Sequence, residues 1–381
     1  MINRTKNSII KCTQWVSHRI DQDVQRSLKN LQRLPDVQHM AVMPDVHLAG
    51  PVCVGTVLAT DHTVYPDAVG GDIGCGILAI QFDGDADVIR TAPNAAWLLA
   101  KLTDAVPINR HRTETMPRLS QGLIQCCLSD PRLEKVRARD GKVQFGTLGR
   151  GNHFIEFLAD EVDNLWLMIH SGSRAMGQAI RSHHLSETGT SQRIPGLDVR
   201  EDVGMAYIHD MKWARRYAAA SRMAMLSMVA EILESAWSMS PIVDSLIHTD
   251  HNHVQQEKHF GHSWWVHRKG AQRVENGGAG IVPGSMATSS FIVTGQGNAE
   301  ALLSCSHGAG RKLSRTEARR KTTRHAFTRQ TESIWFDRRK SRALLDEAPS
   351  AYKDIRVVMK AQRSLVRVSR KLTPIVNFKG G

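Results

Sequence analysis

Residues Gly70 to Gly76 read GGDIGCG and hold a carboxylate, Asp72, and a thiol, Cys75, three apart among glycines. Glycine accepts backbone conformations and close approaches that other residues refuse. A tight loop presenting one oxygen and one sulfur is half of a metal site, and the usual remaining ligands are imidazoles. Four histidines stand in polar or glycine-rich settings that suit the role: His153 in GNHF, His170 in HSGSR, His251 in DHN and His307 in SHGAGR. A thiolate can bridge two ions, so Asp72 and Cys75 on one loop are able to serve two adjacent metals. Mixed sulfur, nitrogen and oxygen donors suit manganese, zinc, cobalt or iron, and residue types do not choose among them. A lone buried histidine is more often a satisfied core residue than a ligand, so the reading rests on the four together.

Phosphate chemistry is the second possibility. The chain has no GxxxxGK[ST] run and no GxGxxG placed between a strand and a helix, which excludes the two standard nucleotide fingerprints. Three other turns offer successive backbone N–H groups of the kind that bind phosphate: Gly149 to Asn152, Pro283 to Met286, and His307 to Arg311. Glycine-rich turns are mostly only turns, and each is weak alone. His307, among small residues and followed by Arg311, has the setting of a nucleophile that takes a phosphoryl group. A fifth metal ligand or a structural histidine fits its setting equally well.

These residues need elements to carry them. Residues 19–32 have helical spacing, and a short strand, MAVM, leads into Pro44-Asp45-Val46-His47. Residues 52–59 and 77–82 read as strands flanking the glycine loop. The stretch 86–138 is helical and polar, broken at Pro107 and Pro117. Residues 166–170 read as a buried strand ending on His170. The clearest helix is 201–240, where apolar residues recur at three and four; its Met223, Met225 and Met228 read as core filler. Strands return at 263–267 and 290–294, with the glycine-rich 276–285 between them. Arg311 to Arg342 reads as basic and helical, either a solvated face or a phosphate-contacting one. Strands mixed with helices without a regular βαβ rhythm predict an α+β fold.

With 381 residues the chain can bury one large core or two joined ones. Fifty Lys and Arg against 37 Asp and Glu leave a net charge of +13, which favours a polyanionic partner, nucleic acid first. No apolar run is long enough to span a membrane, and the N-terminal stretch lacks the pattern of a signal peptide. A cytoplasmic address is therefore expected, with its six cysteines reduced. Cys126 and Cys127 read as core residues of a helical segment.

The motifs PDVH (44–47), GGDIGCG (70–76), GTLGRGNHFIE (146–156), HSGSR (170–174), DHN (250–252), RKGA (268–271), PGSM (283–286), SCSHGAGR (304–311), DEAPSAYKDI (346–355) and FKG (378–380) occur in the order found in RtcB RNA ligases. The chain resembles that family over nearly its whole length. The resemblance implies a single catalytic domain over 1–381, a mixed α/β fold largely the family's own, and a deep cleft containing metal. It implies an enzyme that uses GTP and two Mn2+ ions to join an RNA 3′-phosphate or 2′,3′-cyclic phosphate end to a 5′-hydroxyl end, in RNA repair or tRNA processing. An archease-like activator is a possible partner. The alternative is a metal-dependent phosphoesterase that acts on RNA ends without guanylylation.

By the same resemblance, Asp72, Cys75 and His153 look like ligands of one manganese, and Cys75, His170 and His251 like ligands of the second. His307 resembles the histidine that takes GMP from GTP. Asn152, Phe154, Glu156 and Asn252 resemble nucleotide-site residues. So do Pro283, Gly284, Ser285 and Met286, with Ser290. Gly308, Ala309, Gly310, Tyr352 and Lys379 complete that set. Arg174, Arg311 and Arg315 are expected to hold RNA phosphates. The chain departs from the family pattern at Ala175, Ala287 and Arg150, and in the loop LAGPVCVG after PDVH. These changes spare the expected ligands and touch the loops around them, which suggests a divergent paralogue with its own RNA target.

Overall fold

A computed structural model of the chain describes residues 10, 12–17, 19–112, 114–189 and 192–380. Most of the N-terminal stretch read for a signal peptide lies outside them. Two large sheets form the frame. One is five-stranded, in the order Cys12–Gln14, Val37–His47, Val54–Thr60, His262–Lys269 and Asn252–His259. The other is seven-stranded, in the order Ala279–Val282, Ser290–Gly295, Val366–Lys379, Phe154–Ala159, Asn164–Ser171, Gly76–Asp85 and Ile247–Asp250. Its two outer strands lie beside each other, so the sheet curls towards a barrel. Pairing is antiparallel except for Cys12–Gln14, which runs parallel to Met40–Val42. Antiparallel sheets with helices to one side make the α+β class.

One of the chain's crossings between the sheets takes a single residue. Ile247–Asp250 ends in the seven-stranded sheet, Asn252–His259 begins the five-stranded one, and His251 is the junction. The helix Asp202–Trp237 packs over the seven-stranded sheet, with Met225, Val229 and Leu233 in one core cluster with Leu78, Ile80 and Ile169. Of its methionines, Met225 is buried as core filler; Met223 is instead exposed, facing away from the sheet.

Several expectations need correction. The strand after the first helix is not limited to MAVM but runs from Val37 through His47. Its register slips between Val42 and His47, because Pro44 has no N–H for the ladder. The opposing Gly55 lets the bulge close: at φ +85 a Cβ there would sit 2.7 Å from Val46 Cα. The basic 311–342 stretch is not one helical run. It holds two helices, Arg315–Lys321 with a Ser314/Glu317 capping box and Arg324–Gln330 capped by Thr323, then turns. Cys126 and Cys127 lie beyond the five-residue helix Gln121–Gln125, and Cys127 is exposed instead of core. The strand Val366–Lys379 is not legible in the sequence, because charged residues and Pro374 mask its alternation.

Candidate metal centre and nucleotide pocket

Strand register gathers the ligands. Gly76 pairs with Ser171 on one side and Asp250 on the other, Ile77 faces His170, and Phe154 faces His170 from the next strand. Cys75, His153, His170 and His251 thus emerge at one end of the same sheet, each just beyond or at a strand terminus. Cys75 Sγ lies 3.2 Å from His170 Nε2 and 3.5 Å from His153 Nε2. His170 Nε2 is 3.3 Å from His251 Nε2, and His153 Nε2 is 2.9 Å from Asp72 Oδ2. The atoms form two triplets, Cys75–His170–His251 and Asp72–Cys75–His153, each with donor atoms within 4.8 Å and the sulfur common to both.

The hydrogen-bond pattern suits a cation. His153 Nδ1 donates to the Leu148 carbonyl at 3.0 Å, and His170 Nδ1 donates to the Asn152 carbonyl at 3.2 Å. With those protons placed, both Nε2 lone pairs face the sulfur, which is the orientation second-shell carbonyls give metal-binding imidazoles. Burial holds His170 and His251 well below the usual imidazole range, so both rings are neutral. Burial, and then the Asp72 charge, pushes the Cys75 thiol up, and a bound cation reverses that sign. Asp72 is desolvated, yet positive charge at His153 Nε2, a proton there or a bound cation in its place, favours its carboxylate, which is held down to about 2. A soft thiol, three imidazoles and one carboxylate with converging lone pairs can hold a divalent metal.

His307 stands outside both triplets but against them, its ring 4.8 Å from that of His251. Its Nδ1 donates to Asp45 Oδ2 at 2.6 Å, which leaves the Nε2 lone pair free. Asp45 comes from the bulge at Pro44 and is fully buried. Lys353 Nζ braces that bulge through the carbonyls of Pro44, at 3.2 Å, and Val46, at 2.6 Å. In sequence nothing marks Asp45 within the motif PDVH, and only the fold brings it to His307.

A cavity of about 180 Å3 opens beside His307. Asn152, Phe154, Glu156, Pro283 to Met286, Gly308 to Gly310, Tyr352 and Lys379 all line it, together with Arg311 and Arg315. It is smaller than the roughly 300–1,000 Å3 that encloses a whole small ligand. His47, Arg311 and Arg315 are also walls of an adjoining groove of about 800 Å3, into which the rest of a longer ligand can run. Sequence reasoning missed the hub of this pocket, Glu347. It is buried and accepts from Lys379 Nζ at 2.8 Å, Tyr352 Oη at 2.7 Å and an Arg315 guanidinium nitrogen at 2.6 Å. Asn377, also missed, donates from Nδ2 to Glu156 Oε1 at 2.6 Å.

Other expected residues lie behind the cavity. Asn252 donates to the Asp72 carbonyl and accepts from the Gly270 N–H, tying the glycine loop to its neighbour. Ser290 Oγ accepts from the Gly284 N–H and so shapes the PGSM turn. Arg174 turns inward, donating to Thr147 Oγ1 at 3.2 Å and to the Ile108 carbonyl at 3.1 Å. Arg311 and Arg315 are cavity walls paired with buried acids and not an open face, whereas Arg320 and Arg324 are exposed. Of the departures, Arg150 is exposed on the turn before Asn152, Ala175 opens the helix Ala175–Ser186, and Ala287 packs beside Met286.

The family model described as tRNA-splicing ligase RtcB matches residues 27–380. The RNA-splicing ligase RtcB of Escherichia coli K12 is 36% identical over 95% of both chains. The RNA-splicing ligase RtcB of Mycobacterium tuberculosis is 28% identical over 92% of this chain and 99% of its own. The tRNA-splicing ligase RtcB of Methanococcus maripaludis is 27% identical over 88% of this chain and 86% of its own.

Proposed function

Because the chain belongs to the RtcB family of RNA ligases, we propose that it joins RNA 3′-phosphate or 2′,3′-cyclic phosphate ends to 5′-hydroxyl ends, using GTP and two Mn2+ ions. The observation that carries the reading is His307, its Nδ1 held by Asp45 and its free Nε2 beside a pair of triplets sharing one sulfur. His307 Nε2 attacks the α-phosphorus of GTP, an N–P bond forms, and pyrophosphate leaves. An oxygen of the RNA 3′-phosphate then takes GMP from His307, and the 5′-hydroxyl of the other end displaces GMP. A cyclic phosphate is first opened by hydrolysis. Ions held by Asp72, Cys75, His153, His170 and His251 would offset charge at the transferring phosphorus. Asp45 keeps the histidine proton on Nδ1 throughout and stabilises positive charge as Nε2 bonds to phosphorus.

The cavity takes the guanine end. Glu156 offers a carboxylate to the N1–H and amino donors of guanine, and Lys379 offers a cation to its O6. Exposed Arg320 and Arg324 grip RNA phosphates, largely without reading sequence. Among the described residues no helix is long and apolar enough to cross a membrane. A cytoplasmic address and an archease-like activator belong to the same proposal.

The test is incubation with labelled GTP and Mn2+, followed by addition of paired RNA ends. An acid-labile GMP adduct that disappears as ligated RNA forms is expected. Hydrolysed ends with no adduct would replace this reading with a phosphoesterase.

Glu156 supplies a pH prediction. Burial pushes its carboxyl up to about 8 against the opposing Asn377 hydrogen bond and Lys379 charge. At neutral pH the free protein therefore holds it mostly protonated, while guanine's donors require the carboxylate. GTP affinity is expected to rise with pH to about 8 and then level off, changing by up to about tenfold per unit below that point. Calorimetric titration from pH 6 to 9 checks this, and Glu156→Gln should flatten the slope.

A further inference from the structure

Arg222 is 1% exposed at the middle of the helix Asp202–Trp237, pressed against the back of the metal centre. One guanidinium nitrogen donates both to the Gly74 carbonyl at 2.9 Å and to the Ser171 carbonyl at 2.7 Å. Its Nε donates to His248 Nε2 at 2.8 Å. Gly74 immediately precedes Cys75, Ser171 immediately follows His170, and His248 lies in the strand that delivers His251. Strand pairing aligns these three segments, but the carbonyls of Gly74 and Ser171 fall where that pairing gives out. A buried carbonyl left without a donor is costly, and Arg222 supplies both donors.

The contact is close enough to be specific. Gly74 has φ +69, and a Cβ there would lie 2.8 Å from Arg215 Cα, so helix backbone and glycine loop touch directly. Burial lowers His248 to about 4, followed by the effect of the Arg222 charge, so its ring is neutral and accepts the Nε–H. Among the described residues no carboxylate is hydrogen-bonded to Arg222. The acidic groups that oppose the burial of its charge are Asp250, Cys75 and Asp72, the last two members of the triplets.

We propose that Arg222 is the positioning residue of the metal centre, one buried guanidinium bracing the three backbone segments that carry Cys75, His170 and His251. The proposal rests on the two-ion reading of that centre. A planar fork does this because its donors keep fixed directions; a lysine keeps the charge and loses the geometry.

Full-length wild type, R222K and R222M are titrated with Mn2+ and, separately, with Co2+, whose sulfur-to-metal charge-transfer absorption reports the Cys75 bond. Thermal melting without metal monitors the fold. R222M is expected to bind the ions about 10–100-fold more weakly and to lose or shift the Co2+ band, with R222K weakened as well. If R222M does not fold, R222K decides by the same two readouts. Variants that melt lower but keep wild-type affinity and an unchanged band would overturn the proposal, since that is what a purely structural arginine does. A wild type that takes up no ions would instead remove the two-ion reading itself.

Discussion

With His307 replaced by alanine, labelled GTP is expected to leave no covalent mark on the protein, and RNA ends are expected to stay unjoined. The reason is geometric. Of the three histidines that line the cavity, His307 is the one whose Nδ1 is committed to a carboxylate, by a 2.6 Å hydrogen bond to the fully buried Asp45, which suits it to the nucleophile's role in the proposed reaction. That bond fixes the tautomer and leaves Nε2 as the reacting atom. Asp45→Asn keeps the shape but removes the charge that stabilises the ring once it carries a phosphoryl group. Adduct formation is expected to slow by about 10²–10⁴-fold in that variant. Neither residue belongs to a triplet, so the content of bound Mn2+ should stay at the wild-type level in both. An adduct that survives His307→Ala would move the chemistry to another residue.

Cys75→Ser is the second large effect. The sulfur is the one donor common to both triplets, 3.2 Å from His170 Nε2 and 3.5 Å from His153 Nε2. A serine hydroxyl remains neutral and bridges divalent transition metals poorly, so both ions should be lost or severely weakened together, and ligation with them. Asp72→Ala makes the contrast. It breaks the Asp72–Cys75–His153 triplet and leaves Cys75–His170–His251 intact, so it should cost one ion rather than two. Metal analysis after gel filtration counts them. Two ions retained in Cys75→Ser would show that the sulfur is not shared, and equal loss in both variants would show that the two sites are inseparable.

Much of the candidate site was legible in the chain because its chemistry is local. GGDIGCG announces a carboxylate and a thiol on a loop that must turn tightly, and Gly70 and Gly74 do adopt positive φ. His153, His170 and His251 each carry polar or glycine neighbours that set them apart from core histidines. What stayed hidden was every partner reached across the fold. Asp45 and Glu347 belong to the motifs PDVH and DEAPSAYKDI, yet nothing near Asp45 in sequence points to His307 and nothing near Glu347 points to Lys379. Arg222 lies in a helix whose periodicity predicts core, and a buried cation there has no local signal at all. In sequence the basic segment reads as either a solvated or a phosphate-contacting face, whereas in the fold Arg311 and Arg315 pair with the buried Asp346 and Glu347.

Residue type and short-range spacing thus determined which groups can bind metal, carry a nucleotide or contact phosphate, since donor chemistry and tight turns are properties of a few consecutive residues. Tertiary structure alone decided which of those groups meet. The pairing of Gly76 with both Ser171 and Asp250, the slip at Pro44 and the single-residue crossing at His251 are matters of register between strands distant in the chain. Register is set by the packing of whole sheets, and a shift of one residue would turn each ligand to the opposite face.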